Sequence, residues 1–314
     1  MSPAPSARPR RRRGSLAARL AIPLLMLSTA IACTPPPCRG GCPPRGVPER
    51  AAVFAGVGTW VDIYDWSPTL DGTTSFKLAD VDEVADAGVD VIYIQTTRWN
   101  RPEHLIDVEL FKQIVARAHA RGVRVVSWYL PTHADVKTDY FRLVLPIWFG
   151  ADGIVWDIED TTSEKDLATR NDRLVKTAAI MRKLYPDTPI AAAVLPPVVT
   201  DIINLKYWPE FPWRQLRGSF DAWMPMDYWT NRNPTSVWRD AARYTSENIS
   251  RVRANLGDPN AVVHPIGGVA DKVTEADMAG FVSAAQAGGA IGVSIYDHAT
   301  SKPWMYPAMA PFQR

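Results

Sequence analysis

The sequence predicts an α/β fold, specifically a closed (β/α)8 TIM barrel, and three observations carry that prediction. Eight apolar runs begin near Val57, Val91, Val123, Gly153, Ile190, Ala222, Ala261 and Ile291. They recur about every 33 residues, the length of one strand–helix unit in a parallel sheet. The runs are continuously hydrophobic rather than alternating, as in 89–94, 123–130 and 190–195, which is how strands covered by helices read. The folded unit, residues 51–314, is about 260 residues long and fits a single barrel domain. An open doubly wound sheet is the alternative, but no Gly-rich phosphate turn follows the first run.

Taken in order, residues 1–32 read as an export signal. Arg8 and Arg10 to Arg13 precede an apolar run from Leu16 to Ile31, and small residues lead up to Cys33. Arg19 and Pro23 interrupt that run, which is too short to span a membrane comfortably. Ala30-Ile31-Ala32-Cys33 resembles a bacterial lipobox, which implies lipidation at Cys33 and anchoring to the outer face of the cell membrane. The alternative is cleavage nearby and secretion. Arg12 to Leu16 weakly resembles a twin-arginine signal. The segment 33–50 reads as a Pro-rich linker, with a small disulfide between Cys38 and Cys42 expected in an oxidising compartment.

The chain carries a formal charge of +2, but its first 32 residues hold six arginines and no acid, so the remainder carries −4. The basicity therefore belongs to the signal, and nucleic acid is not expected as a partner.

Within the barrel, Ile106 to Arg121 has apolar residues near helical spacing and stops at Gly122. Ser163 is expected to cap a helix from Glu164 to Tyr185. Thr274 opens Glu275 to Ala287, and a glycine pair closes it. Only a short eighth helix fits between Ser301 and Arg314.

Active sites of such barrels lie at the carboxyl ends of the strands. There the chain places Asp62, Tyr64 and Trp66, then Gln95, Arg98 and Trp99, then Trp128, then Asp157, Glu159 and Asp160. Strand 6 contributes Asp227, Tyr228 and Trp229, and strand 8 contributes Tyr296 and Asp297. Asp157 and Glu159 are two apart on one strand, so they face the same way with Cα atoms roughly 6–7 Å apart. Two neighbouring carboxylates hold their proton affinities apart, which suits acid catalysis on a glycosidic oxygen. Glu159 is read as acid/base, Asp157 as nucleophile or stabiliser, and Asp227 as able to exchange roles with Asp157. Tyr228 is read as orienting a carboxylate or the substrate. Substrate contacts are expected from Asp62, Tyr64, Trp66, Gln95, Trp99, Trp128, Trp229 and Asp297, the tryptophans offering flat faces to sugar rings. Trp156 is expected to reduce solvation of the acids. Trp60 and Trp148 read as core, and Trp208 and Trp213 as cleft wall. His133, His264 and His298 read as hydrogen-bonded rim residues.

Asp152-Gly153-x-Val155-x-Asp157-x-Glu159 resembles the strand-4 motif of family 18 glycoside hydrolases, which are chitinase-like, Asp-Gly-x-Asp-x-Asp-x-Glu. The resemblance implies that Glu159 is the general acid and Asp157 its partner. Val155 stands where that motif has an Asp, and Met224-Pro225-Met226-Asp227 lacks the Tyr of the family's strand-6 Met-x-Tyr-Asp. Pro225-Met226-x-Tyr228 is also similar to glycoside-hydrolase-like barrels of bacterial envelopes.

Two rivals differ in class. A metal-dependent hydrolase would want His-x-His on strand 1, where the chain has Asp62-x-Tyr64, so no metal is expected. A non-catalytic, surface-anchored carbohydrate-binding or scaffold barrel would neutralise the acids with arginine, such as Arg98, or wall them off. The reading taken is a monomeric cell-envelope glycoside hydrolase acting on a polysaccharide with retention of configuration and no cofactor.

Overall fold

The computed structural model describes residues 46–71 and 74–314. The expected signal, linker, lipidation site and cysteine pair (Cys33, Cys38, Cys42) lie outside the described residues. Eight parallel strands close into a barrel in sequence order. They are β1 (Gly56–Val61), β2 (Val91–Gln95), β3 (Arg124–Tyr129), β4 (Gly153–Ile158), β5 (Ile190–Val194), β6 (Ala222–Asp227), β7 (Ile266–Gly268) and β8 (Gly292–Tyr296). β1 pairs with β8, with Gly56 beside Gly292, and this closes the ring. Gly292 is needed there, because an added Cβ would lie 2.3 Å from the Gly56 carbonyl oxygen.

A helix follows each strand: α1 (Asp80–Asp86), α2 (Val108–Ala120), α3 (Val136–Trp148), α4 (Leu167–Leu184), the single turn α5 (Trp213–Leu216), α6 (Ala241–Leu256), α7 (Glu275–Ala287) and the short α8 (Met305–Ala308). α7 begins as expected, with Thr274 and Asp277 forming a reciprocal capping box. α4 begins three residues later than expected. Asp160 accepts the backbone N–H groups of Thr162 and Ser163, curling that stretch into a turn, and Asp166 caps the helix instead. Likewise β7 starts at Ile266 rather than near Ala261, because Pro265 has no N–H to continue a ladder. Before it only an isolated bridge pairs Trp223 with Val263.

The hydrophobic interior divides into two layers. Outward side chains of the strands pack under the helices, as Ile154, Trp156 and Ile158 do with Leu174 and Met181 of α4. Inward side chains fill the barrel, where Trp60, Tyr93 and Trp128 meet the small residues Ala191 and Ala193 of β5. The Trp60 ring stacks on Tyr93 at 4.6 Å and meets Trp128 edge-on at 5.6 Å. Large rings on β1 to β3 thus face alanines on β5, which leaves space on that side of the barrel mouth. Among the described residues, no helix is long and apolar enough to cross a membrane.

Candidate functional site

At the carboxyl ends of the strands lies a cavity of about 300 Å3. Asp157 and Glu159 both line it, together with Asp62, Tyr64, Gln95, Arg98, Tyr228 and Tyr296. Trp60, Trp128, Leu130, Ala193, Met226 and Ile266 supply its apolar wall. Strand alternation explains the acids: Val155 and Asp157 point into the barrel, whereas Trp156 points outward and meets Phe220 edge-on at 5.6 Å. Trp156 therefore does not desolvate the carboxylates from the cavity side. That effect comes from the lumen residues.

Asp157 is 7 % exposed, and its Oδ1 has no hydrogen-bond partner among the described residues. Burial, and then the Glu159 charge, push its carboxyl well above the ordinary range. Glu159 is half-buried and is also raised, first by burial and then by Asp160. Burial raises Asp160 as well, but hydrogen bonds from Ser163 and Thr162 outweigh this and hold it low. Three adjacent acids thus carry unequal proton affinities. Among the described residues, neither Asp157 nor Glu159 makes an ion pair. The arrangement favours the proton-bearing form of a carboxyl group facing an aromatic-lined space, from which a proton can pass to a bound ligand.

The other lining residues are held in place by nearby bonds. Asp62 accepts the N–H of Tyr64 at 3.0 Å and the Tyr296 hydroxyl at 3.4 Å, capping the one-turn helix Ile63–Trp66. Burial raises its carboxyl despite those bonds and the nearby Arg98 charge. Gln95 accepts the N–H of Ile63 at 3.2 Å. The Tyr228 and Tyr296 rings lie 6.0 Å apart. Burial, Tyr296 and the two acids raise the Tyr228 phenol, so it stays protonated as a hydrogen-bond donor.

The structure separates other expected site residues from this cavity. Asp227 is fully buried on the opposite face of the strand wall, where its Oδ1 accepts from Asn248 of α6 at 2.6 Å. Met224 and Met226 take the inward positions of β6, so Asp227 turns outward and Tyr228 inward again. An exchange of roles with Asp157 is therefore excluded by parity. Trp66 is core, its Nε1 donating to the Gln95 carbonyl oxygen at 2.8 Å. Trp229 packs on Phe281 of α7 at 5.2 Å. Asp297 turns to cap Thr300 at 3.0 Å. Trp99 is 55 % exposed and borders a neighbouring groove with His104 and Thr138 rather than the cavity.

Several tryptophan and histidine expectations also change. Trp60 was expected in the core and lines the cavity floor as well, while Trp148 is 65 % exposed. Trp208 and Trp213 pack with Phe211 into the outer apolar layer and form no cleft wall. His264 is buried, its Nδ1 bonded to the carbonyl oxygen of Phe54, which precedes β1, so it sits at the barrel's opposite end. His133 is likewise buried and packs edge-on against Trp208. Sequence reading missed Leu130, Ala193 and Ile266, whose apolar side chains carry no chemical signature; only strand parity could have found them. Among the described residues, no three His, Cys, Asp or Glu side chains group as a metal site.

No protein-family model matches the chain, and no curated protein matches it in sequence. Solved structures do match. A family 18 chitinase from Cycas revoluta, in complex with (GlcNAc)3, superposes with a TM-score of 0.60 at 11 % identity, covering 82 % of this chain and 98 % of that one. The spore cortex-lytic enzyme of Bacillus cereus gives 0.59 at 8 % identity, covering 83 % and 75 %. An endo-beta-1,4-mannanase from Thermotoga petrophila gives 0.54 at 12 % identity, covering 77 % and 68 %. At such identities the likeness establishes the (β/α)8 barrel fold alone.

Proposed function

We propose that the protein is a glycoside hydrolase that cleaves a polysaccharide at the cell envelope by carboxylate acid/base catalysis. The observation that carries this reading is the pair Asp157 and Glu159, sharing one aromatic-walled cavity with no cation paired to either among the described residues. Glycosidic cleavage needs a protonated acid at the leaving oxygen and a second carboxyl group on the sugar. Glu159 is two residues further along the strand and more exposed than Asp157, nearer the opening where a leaving oxygen would reach it, so it is assigned as the acid/base group. Asp157, deeper and next to it, acts as nucleophile or electrostatic partner, and retention of configuration is the expected outcome. Tyr228 positions these groups or the substrate through its phenol, and Trp60 and Trp128 offer faces to sugar C–H groups.

The export signal and Cys33 support an envelope location with a lipid anchor. A non-catalytic carbohydrate-binding barrel is the second reading. It is favoured by Val155, which packs in the barrel interior where the resembled motif has a further acid. Incubating the full chain and its Glu159→Gln variant with a panel of glycans, and measuring new reducing ends, separates the two. Hydrolysis lost in the variant supports the enzyme; binding without hydrolysis by either protein supports the second reading.

A further inference from the structure

We infer that Arg98 is a specificity determinant that binds a carboxylate carried by the substrate, so that the site takes an acidic glycan. This rests on the glycoside-hydrolase reading above and names the substrate class of the same cavity. Arg98 supplies the cation among the lining residues. Its guanidinium donates to the Tyr64 hydroxyl and lies over the Tyr64 ring, 5.1 Å from the centroid. Hydroxyl and ring belong to one residue, and among the described residues Arg98 makes no ion pair. Two arginines beside it differ. Arg101 pairs with Glu103 at 3.4 Å, and Arg142 donates to the Tyr129 hydroxyl at 2.9 Å and to the Trp99 carbonyl oxygen at 3.2 Å.

These contacts also fix the backbone that presents Arg98. Arg142 ties down the loop on one side, and the N–H of Arg101 closes a turn on the Arg98 carbonyl oxygen at 3.1 Å. A guanidinium has five N–H donors in a rigid fork, so most of its bonding capacity is left for a ligand. A planar carboxylate satisfies that fork with two parallel bonds, which a sugar hydroxyl cannot do. Of the lining acids, Asp62 feels the Arg98 charge but makes no ion pair with it among the described residues, its oxygens being held by the Tyr64 N–H and the Tyr296 hydroxyl. A hexuronic acid and an amino sugar with a lactyl ether each carry a carboxylate on or beside the ring, and both have the required chemistry.

The test is calorimetric binding to the full chain carrying Glu159→Gln, with and without Arg98→Met. One arm uses hexuronic-acid oligosaccharides and the other uses glycan strands bearing lactyl ethers. Each is compared with the same chain after its carboxyl groups are reduced to alcohols. One arm is expected to bind about ten- to a hundredfold tighter than its reduced counterpart, the range of a charged hydrogen-bonded pair. Arg98→Met should bring that ratio close to one, and Arg98→Lys, which keeps the charge but not the fork, should retain only part of it. A reduced chain binding as well as its acidic form in both arms overturns the inference, as does a preference that survives Arg98→Met. Hydrolysis by the unmutated chain is scored separately. Glu159-dependent cleavage without a carboxylate preference sinks only the role of Arg98, whereas an Arg98-dependent preference without cleavage sinks only the catalytic reading.

Discussion

Asp157 and Asp227 each stand near the carboxyl end of a barrel strand, yet they face opposite sides of the wall: Asp157 opens into the cavity, Asp227 points at α6. The strands they occupy are separated only by β5, where Ala193 pairs with Asp157 on one side and Met224 on the other. One residue of phase along a strand therefore separates a candidate catalytic group from a structural one.

That difference predicts divergent effects of the same substitution. Asp157→Asn should lower kcat/KM by about 10²- to 10⁴-fold, the usual contribution of a positioned acid or base. Asp227→Asn should leave the pH optimum where it is, and steady-state kinetics on both variants checks the pair.

Asp227 should instead shape the dependence of stability on pH. Burial raises its carboxyl well above the ordinary 3.8. Below that value both folded and unfolded chains are protonated and its contribution is fully present. As the pH climbs, the unfolded chain loses the proton while the folded one keeps it. The contribution then falls by at most about 1.4 kcal/mol per pH unit until the folded-state pKa is passed. Asp227→Asn lacks this term, so its melting temperature should fall less than that of the unmutated chain between acidic and neutral pH. Parallel melting curves would contradict the assignment.

Glu159 as general acid predicts an alkaline limb in the pH–rate profile above its ordinary 4.5, because burial and then Asp160 raise it. Asp160→Asn removes the second of those causes while keeping an oxygen for the Thr162 and Ser163 N–H groups. The limb should move to lower pH, and an unchanged or alkaline-shifted limb would count against Glu159.

Ala193 offers a test by bulk rather than charge. It pairs in register with Asp157 and lines the cavity. Ala193→Leu should weaken substrate binding at least tenfold by filling the space beside the acid, at about 1–3 kcal/mol of overpacking in stability. Inhibitor or substrate titration alongside thermal melting separates the two effects.

Much of the barrel was legible because long apolar runs at regular spacing leave few other ways to bury strands on both faces. β4 was especially plain, since Asp157 and Glu159 interrupt an apolar run with a two-residue period. The same continuity hides parity elsewhere. In Met224-Pro225-Met226-Asp227-Tyr228-Trp229 nothing local says which residues face the lumen, and Asp227 and Trp229 turned outward together. Trp66 and Asp297 were misplaced for a related reason. Both follow strand ends, but short turns redirect them, Trp66 into the Ile63–Trp66 helix and Asp297 into the cap of His298–Thr300. Trp60 shows that core and site are not alternatives in a narrow barrel, where the last packed layer is also the cavity floor.

The most direct measurement is release of reducing ends from a polysaccharide panel by the unmutated chain and by Glu159→Gln, at matched folding by circular dichroism. The account predicts cleavage of at least one glycan and its loss by about 10²-fold or more in the variant. Equal rates for the two proteins on every glycan cleaved would contradict it.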